Sequence, residues 1–192
     1  MMRSPVDRLS LDFRYLLFIA SLALLILLSR QMSHIQQDPA SEEPRVAQMK
    51  LEFSATPEDV DFLKTIAWKE EGTRRAARLI YWDFGFLLCY AVLLSLACTF
   101  AADGPFRRGG ITRALGILLA WGSVLAAAAD ALANCAMLVM LNQEKVSGGV
   151  LWTAKTFASI EFFLVGLALA YILAAALLSL LGQGASIAAS EA

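Results

Sequence analysis

The stretch from Leu79 to Ala102 reads LIYWDFGFLLCYAVLLSLACTFAA, with Asp83 as its one charge. An α-helix rises about 1.5 Å per residue, so about 20 apolar residues cross the hydrocarbon core of a bilayer. A helix also closes its backbone hydrogen bonds within one segment, which lipid demands. The stretch therefore predicts a transmembrane helix, span two over 79–102. Working outward, residues 114–141 carry only Asp130 and predict span three. Residues 150–181 carry Lys155 and Glu161 and predict span four, with Gly148, Gly149 and Gly182 at its ends. Upstream, Tyr15 to Ser29 is free of charge between Arg14 and Arg30. It is short for a span, but arginine stems snorkel outward and lengthen it, giving span one over 15–30. A cleaved signal peptide is the rival reading. Arg30, Gln31 and Met32 follow in place of a small-residue cleavage site, so an uncleaved anchor is expected.

Composition agrees with a chain dissolved in lipid. Of 192 residues, 58% are hydrophobic and 17% charged, and the mean hydropathy is +0.62. Soluble domains carry about a quarter charged residues. A net charge of −1 gives no footprint for a nucleic acid. Cys89, Cys98 and Cys135 all lie in apolar runs without a C-x-x-C pair, which speaks against thiol redox chemistry. The one histidine, His34, sits in a polar stretch, so neither imidazole nor thiolate clusters offer a metal site. No catalytic set, metal or cofactor is predicted.

Basic residues in short loops set orientation. Arg3, Arg8 and Arg14 lie in the tail 1–14, and Arg107, Arg108 and Arg113 lie in the loop 103–113. The loop 142–149 has only Lys145, and the tail 182–192 has no basic residue. The expected topology has both termini in the cytoplasm of an inner (plasma) membrane protein, with 31–77 and 142–149 outside. Arg74, Arg75 and Arg78 argue the other way, but Glu70 and Glu71 accompany them.

The segment 31–77 begins as a linker to about residue 45, rich in Gln, Glu and Pro. Ala47, Met49, Leu51 and Phe53 then alternate with polar residues, a period of two that predicts a strand over 47–54. Thr56 as cap, Pro57 at the first helical position and Glu58 and Asp59 in the first turn predict a helix over 57–71. Val60, Phe62, Leu63, Ile66 and Ala67 give it an apolar face, and Gly72 is expected to end it. A lone strand leaves its amides and carbonyls unpaired. Met49, Leu51 and Phe53 are therefore a candidate docking edge for a membrane protein partner or a second copy. The alternative is an extended stretch lying on the helix and the membrane surface. The fold expected is an all-α four-span bundle with this small strand-plus-helix segment between spans one and two.

Several short motifs also carry a resemblance. Leu51-Glu52-Phe53-Ser54-Ala55-Thr56-Pro57 precedes Asp83-Phe84-Gly85-Phe86, with Tyr90 beyond, and Asp130-Ala131-Leu132-Ala133-Asn134 lies in span three. This resembles a group of uncharacterised four-span bacterial membrane proteins, over roughly residues 47–170. Ala133 stands where that group suggests glutamate, and Glu161 where it suggests lysine. The resemblance implies a topology and no activity.

Ionisable side chains inside a span are costly and need a reason. At about 1.5 Å per residue, Asp83, Asp130, Asn134, Lys155 and Glu161 all fall in the outer half of the spans. Asp130 and Asn134 share a helix face. A polar cluster is expected there, with Asp130 as the counter-charge of Lys155, Asp83 as second choice, and Glu161 within reach. One reading is a buried network that fixes helix register. The other is an outward-facing pocket for a lipid headgroup, an ion or a proton. Gly166, Ala170 and Ala174 form a small-residue stripe expected to pack the bundle, with a dimer face as the alternative. Two function classes follow. The first is a non-enzymatic accessory or assembly protein acting through protein contacts. The second is a small transporter or membrane enzyme using the polar cluster. A water-accessible cavity at Asp130 and Glu161 would favour the second.

Overall fold

The computed structural model describes residues 3–36, 51, 53–106 and 110–190. Apolar runs of this length have one way to satisfy their backbone, and the described chain is accordingly helical, with no strand among these residues. Helix α1 spans Leu11–Gln36, α2 Pro57–Phe62, α3 Lys69–Asp103, α4 Gly110–Asn142 and α5 Gly148–Ser190. A π-helical turn, Leu63–Ala67, follows α2. Helices α1, α3, α4 and α5 are each long and apolar enough to cross a membrane. The protein is an all-α, four-span membrane protein.

α3, α4 and α5 form the core of the bundle. α4 packs most extensively, against α3 on one side and α5 on the other, while α1 leans mainly on α3. Alanines let the backbones approach: Ala120, Ala126, Ala133, Ala154, Ala158 and Ala168 are all fully buried. Gly116 does the same on α4. A Cβ there would lie 2.2 Å from the Tyr171 hydroxyl and 2.8 Å from the Cβ of Ala102. The Tyr171 hydroxyl donates to the carbonyl of Thr112 at 3.0 Å, and the Ser95 hydroxyl donates to that of Ala120 at 2.7 Å. The stripe of Gly166, Ala170 and Ala174, expected inside, faces out, and a Cβ on Gly166 would meet nothing within 4 Å. Ala168, Tyr171 and Ala175 take the inward phase of α5 instead. Cys89 and Cys98 fill the core, whereas Cys135 faces outward.

The alternation over 47–54 does not produce a strand at its described positions. Leu51 is helical and fully buried in one cluster with Val60, Ala76, Ile80, Met137, Met140 and Leu151. Phe53 lies in a turn, its ring 5.9 Å from that of Phe162. Met49 lies outside the described residues. An isolated strand would leave its backbone unpaired, whereas turning the chain buries Leu51 against three spans.

The helix expected over 57–71 forms only in part. It starts as its sequence dictates, with Thr56 accepting from the Asp59 amide at 3.2 Å and Asp59 accepting from the Thr56 amide at 2.9 Å. After the π-turn it breaks at Trp68, and Lys69 adopts a φ of 54°. α3 then runs on through Gly72, which was expected to stop a helix. There the chain folds back so tightly that a Cβ on Gly72 would lie 2.6 Å from the Cβ of Trp68. Residues 53–68 thus lie as a cap over one end of the bundle.

Polar contacts hold the cap. The Lys64 ammonium is buried and donates to the carbonyls of Met140 at 3.0 Å and Gln143 at 2.6 Å. These carbonyls lie at the end of α4, where a helix leaves acceptors without intrahelical donors and welcomes a cation. Asp61 pairs with Lys64 at 3.4 Å and accepts from the Val146 amide at 3.3 Å. The opposite end has its own fastening. Arg14 donates to the carbonyls of Leu9 and Asp7, each at 3.0 Å, and Asp103 lies 3.9 Å from Arg14 and 3.2 Å from Arg113. Trp121 donates to the carbonyl of Arg3 at 3.0 Å, tying the N-terminal turn to α4.

Candidate functional site

Below the cap, polar side chains from all three core helices meet. Asp83 and Tyr90 on α3 are seven residues apart, two turns, and so face the same way. Asp130 and Asn134 on α4 are four apart and face α3. Glu161 comes from α5. The Asn134 amide donates to Asp83 at 2.8 Å and to Asp130 at 3.2 Å. The Tyr90 hydroxyl lies 3.3 Å from Asp130 and 3.3 Å from Glu161. It carries one proton and so donates to one of these carboxylates at a time. The order Asp83–Asn134–Asp130–Tyr90–Glu161 is a continuous chain across α3, α4 and α5.

The chain is enclosed. Asn134 is 0% exposed, Asp130 5% and Asp83 8%, and Glu161 is half-buried. The apolar cluster under the cap lies on one side, and Leu87, Tyr90, Ala91, Leu94, Ala126 and Ala127 close the other. Among the described residues, no buried side-chain oxygen or nitrogen lacks a hydrogen-bond partner. No group of three or more metal-binding side chains has a geometry suited to a metal ion among them. Two described open clefts lie elsewhere. One, of about 680 Å³, runs along Lys69, Glu70, Glu71, Arg74, Arg75 and Arg78. The other, of about 470 Å³, is lined by Ile26, Ser29, Arg30, Ser33 and His34.

Asp83, Asp130, Asn134 and Glu161 thus come together, and Lys155 does not join them. Its ammonium donates to the carbonyl of Ala55 at 3.3 Å. Lys155 lies two turns from the start of α5, so its four-carbon stem reaches the cap, where a peptide carbonyl accepts it. Two polar positions of this architecture were not among the site residues expected from the sequence. Tyr90 was visible in principle, because it repeats the face of Asp83 two turns on. Lys64 gave no signal, since its partners are carbonyls 76 and 79 residues away.

No family model, curated protein or solved structure matches the chain. The fold and the site together define a class, a four-span membrane bundle with an enclosed interhelical carboxylate network.

Proposed function

We propose that the protein is a non-enzymatic accessory or assembly factor that works by contact with another membrane protein or a second copy of itself. The observation behind this reading is the stripe Gly166–Ala170–Ala174 on α5. It has the spacing with which transmembrane helices approach closely, yet this bundle leaves it facing outward. The enclosed polar chain fits the same reading, as a network that fixes the register of α3, α4 and α5. The proposed orientation follows the arginines, with both termini in the cytoplasm of the inner membrane and the cap outside. Purification from native membranes in mild detergent tests the contact. A stoichiometric membrane partner or a dimer is expected, and Gly166→Ile with Ala170→Ile should release it while the chain still inserts. A lone monomer in the parent, or an unchanged complex in the double variant, overturns the reading.

A second reading rests on the three carboxylates in one chain. Intramembrane acids are functional by default, so the cluster would serve a transporter or membrane enzyme handling a headgroup, an ion or a proton. Asp130→Asn would then abolish a flux or turnover in proteoliposomes that Lys155→Met leaves in place.

A further inference from the structure

The joint between the cap and α3 has two unusual features within a few residues. Leu63–Ala67 is a π-helical turn, a form rare in proteins and frequent at functional sites. Lys69 is the one non-glycine residue among those described with a left-handed φ. That conformation is unfavourable for a residue with a Cβ and persists only where surrounding contacts impose it. Here several contacts of the cap with the bundle impose it. The Lys64 ammonium grips two carbonyls at the end of α4, Asp61 takes the Val146 amide, Ala55 takes Lys155, and Val60 fills the apolar cluster. On its far side the cap carries Phe62 and Ile66, both more than half exposed.

We propose that residues 53–68 are a hinged cap with two positions, closed by the Lys64 latch and opened by return of Lys69 to the right-handed helical region. In the open position α2 and α3 approach one continuous helix. Met137, Ile80 and the Asp83–Asn134 end of the polar chain, buried while the cap is closed, then face the outer aqueous phase. The strain at Lys69 favours opening and the Lys64 latch opposes it. This inference concerns motion within one chain and does not depend on the partner proposed above.

The two parts of the device give variants of opposite sign. Glycine tolerates a left-handed φ and is a poor helix interior residue, so Lys69→Gly should favour the closed position by roughly fivefold or more. Lys64→Met keeps the apolar stem and removes the charged donors, so it should favour opening by about tenfold. The reporter is Met137→Cys in a chain carrying Cys89→Ala, Cys98→Ala and Cys135→Ala, reconstituted in liposomes. Its rate of labelling by an impermeant, charged methanethiosulfonate reads access beneath the cap. The expected result is slower labelling with Lys69→Gly and faster labelling with Lys64→Met, the latter restored towards the parent by Lys64→Arg. Equal rates in all variants, or faster labelling with Lys69→Gly, overturn the proposal. Should Lys64→Met fail to accumulate, Lys69→Gly decides alone, read also by hydrogen exchange of the amides over 57–67: slower exchange supports the hinge, unchanged or faster exchange rejects it.

Discussion

Two glycines on neighbouring helices show how far a single Cβ matters here. At Gly116 it would meet the Tyr171 hydroxyl at 2.2 Å, and at Gly166 it would meet nothing within 4 Å. Gly116→Ala should therefore destabilise by about 1–3 kcal/mol, because the close approach of α4 to α3 and α5 must loosen. Gly166→Ala should stabilise slightly, by up to about 1 kcal/mol, since alanine is the better helix former. Reversible unfolding in mixed micelles reads both, and equal effects would contradict this packing. Within the polar chain, Asn134 is the residue that joins two carboxylates at once. Asn134→Ala should cost about 3 kcal/mol by removing two bonds to acidic oxygens. Tyr90→Phe should cost about 1 kcal/mol or less, as its two contacts are long at 3.3 Å. The reverse order would make Tyr90, not Asn134, the linchpin of the network.

Among the elements, α2 is the one whose formation depends most on local chemistry. It is only six residues long, and the reciprocal Thr56–Asp59 bonds supply its start. Thr56→Ala should lose about 1 kcal/mol of local stability and speed hydrogen exchange over 57–62, with the spans unaffected. Unchanged exchange there would mean that burial of Val60 alone holds the helix. The start of α2 was legible because capping is a short-range code. Its end was not. Gly72 reads as a stop signal, yet the chain breaks before it, at Trp68 and Lys69, because burying Leu51, Val60 and the Lys64 latch requires the cap to fold back over the bundle. The strand expected over 47–54 is absent at its described positions for the same reason. Its alternation is real, but the described residues offer no sheet for a strand to join, and the apolar cluster takes Leu51 as a buried helical residue.

At the scale of the whole molecule, the cap and the loop between α4 and α5 lie at one end, and the loop between α3 and α4 lies at the other. The proposed orientation therefore makes a paired prediction. In a chain otherwise free of cysteine, Glu144→Cys should react with an impermeant maleimide on intact cells. Gly104→Cys should react only after permeabilisation. The opposite pattern would invert the protein in the membrane and place the cap and the polar chain near the cytoplasm.

By itself the sequence determined the four spans, the near absence of charge within them and the helix start at Thr56. Each of these is set by solvent or by neighbours within a turn: lipid forces a helix on any apolar run, and a cap bonds three residues ahead. It also marked Asp83, Asp130, Asn134, Lys155 and Glu161 as unusual, because a charged or strongly polar group in lipid needs a reason wherever it points. Only the tertiary structure decided which of these meet, that Tyr90 links Asp130 to Glu161, and that Lys155 turns to Ala55 instead. It alone decided that Leu51 is interior, that Gly166 faces outward and that Lys64 closes the end of α4. These outcomes depend on the rotation of each helix about its axis and on contacts far apart in the chain. Hydropathy within a nearly all-apolar span is almost uniform around the helix and carries no such phase.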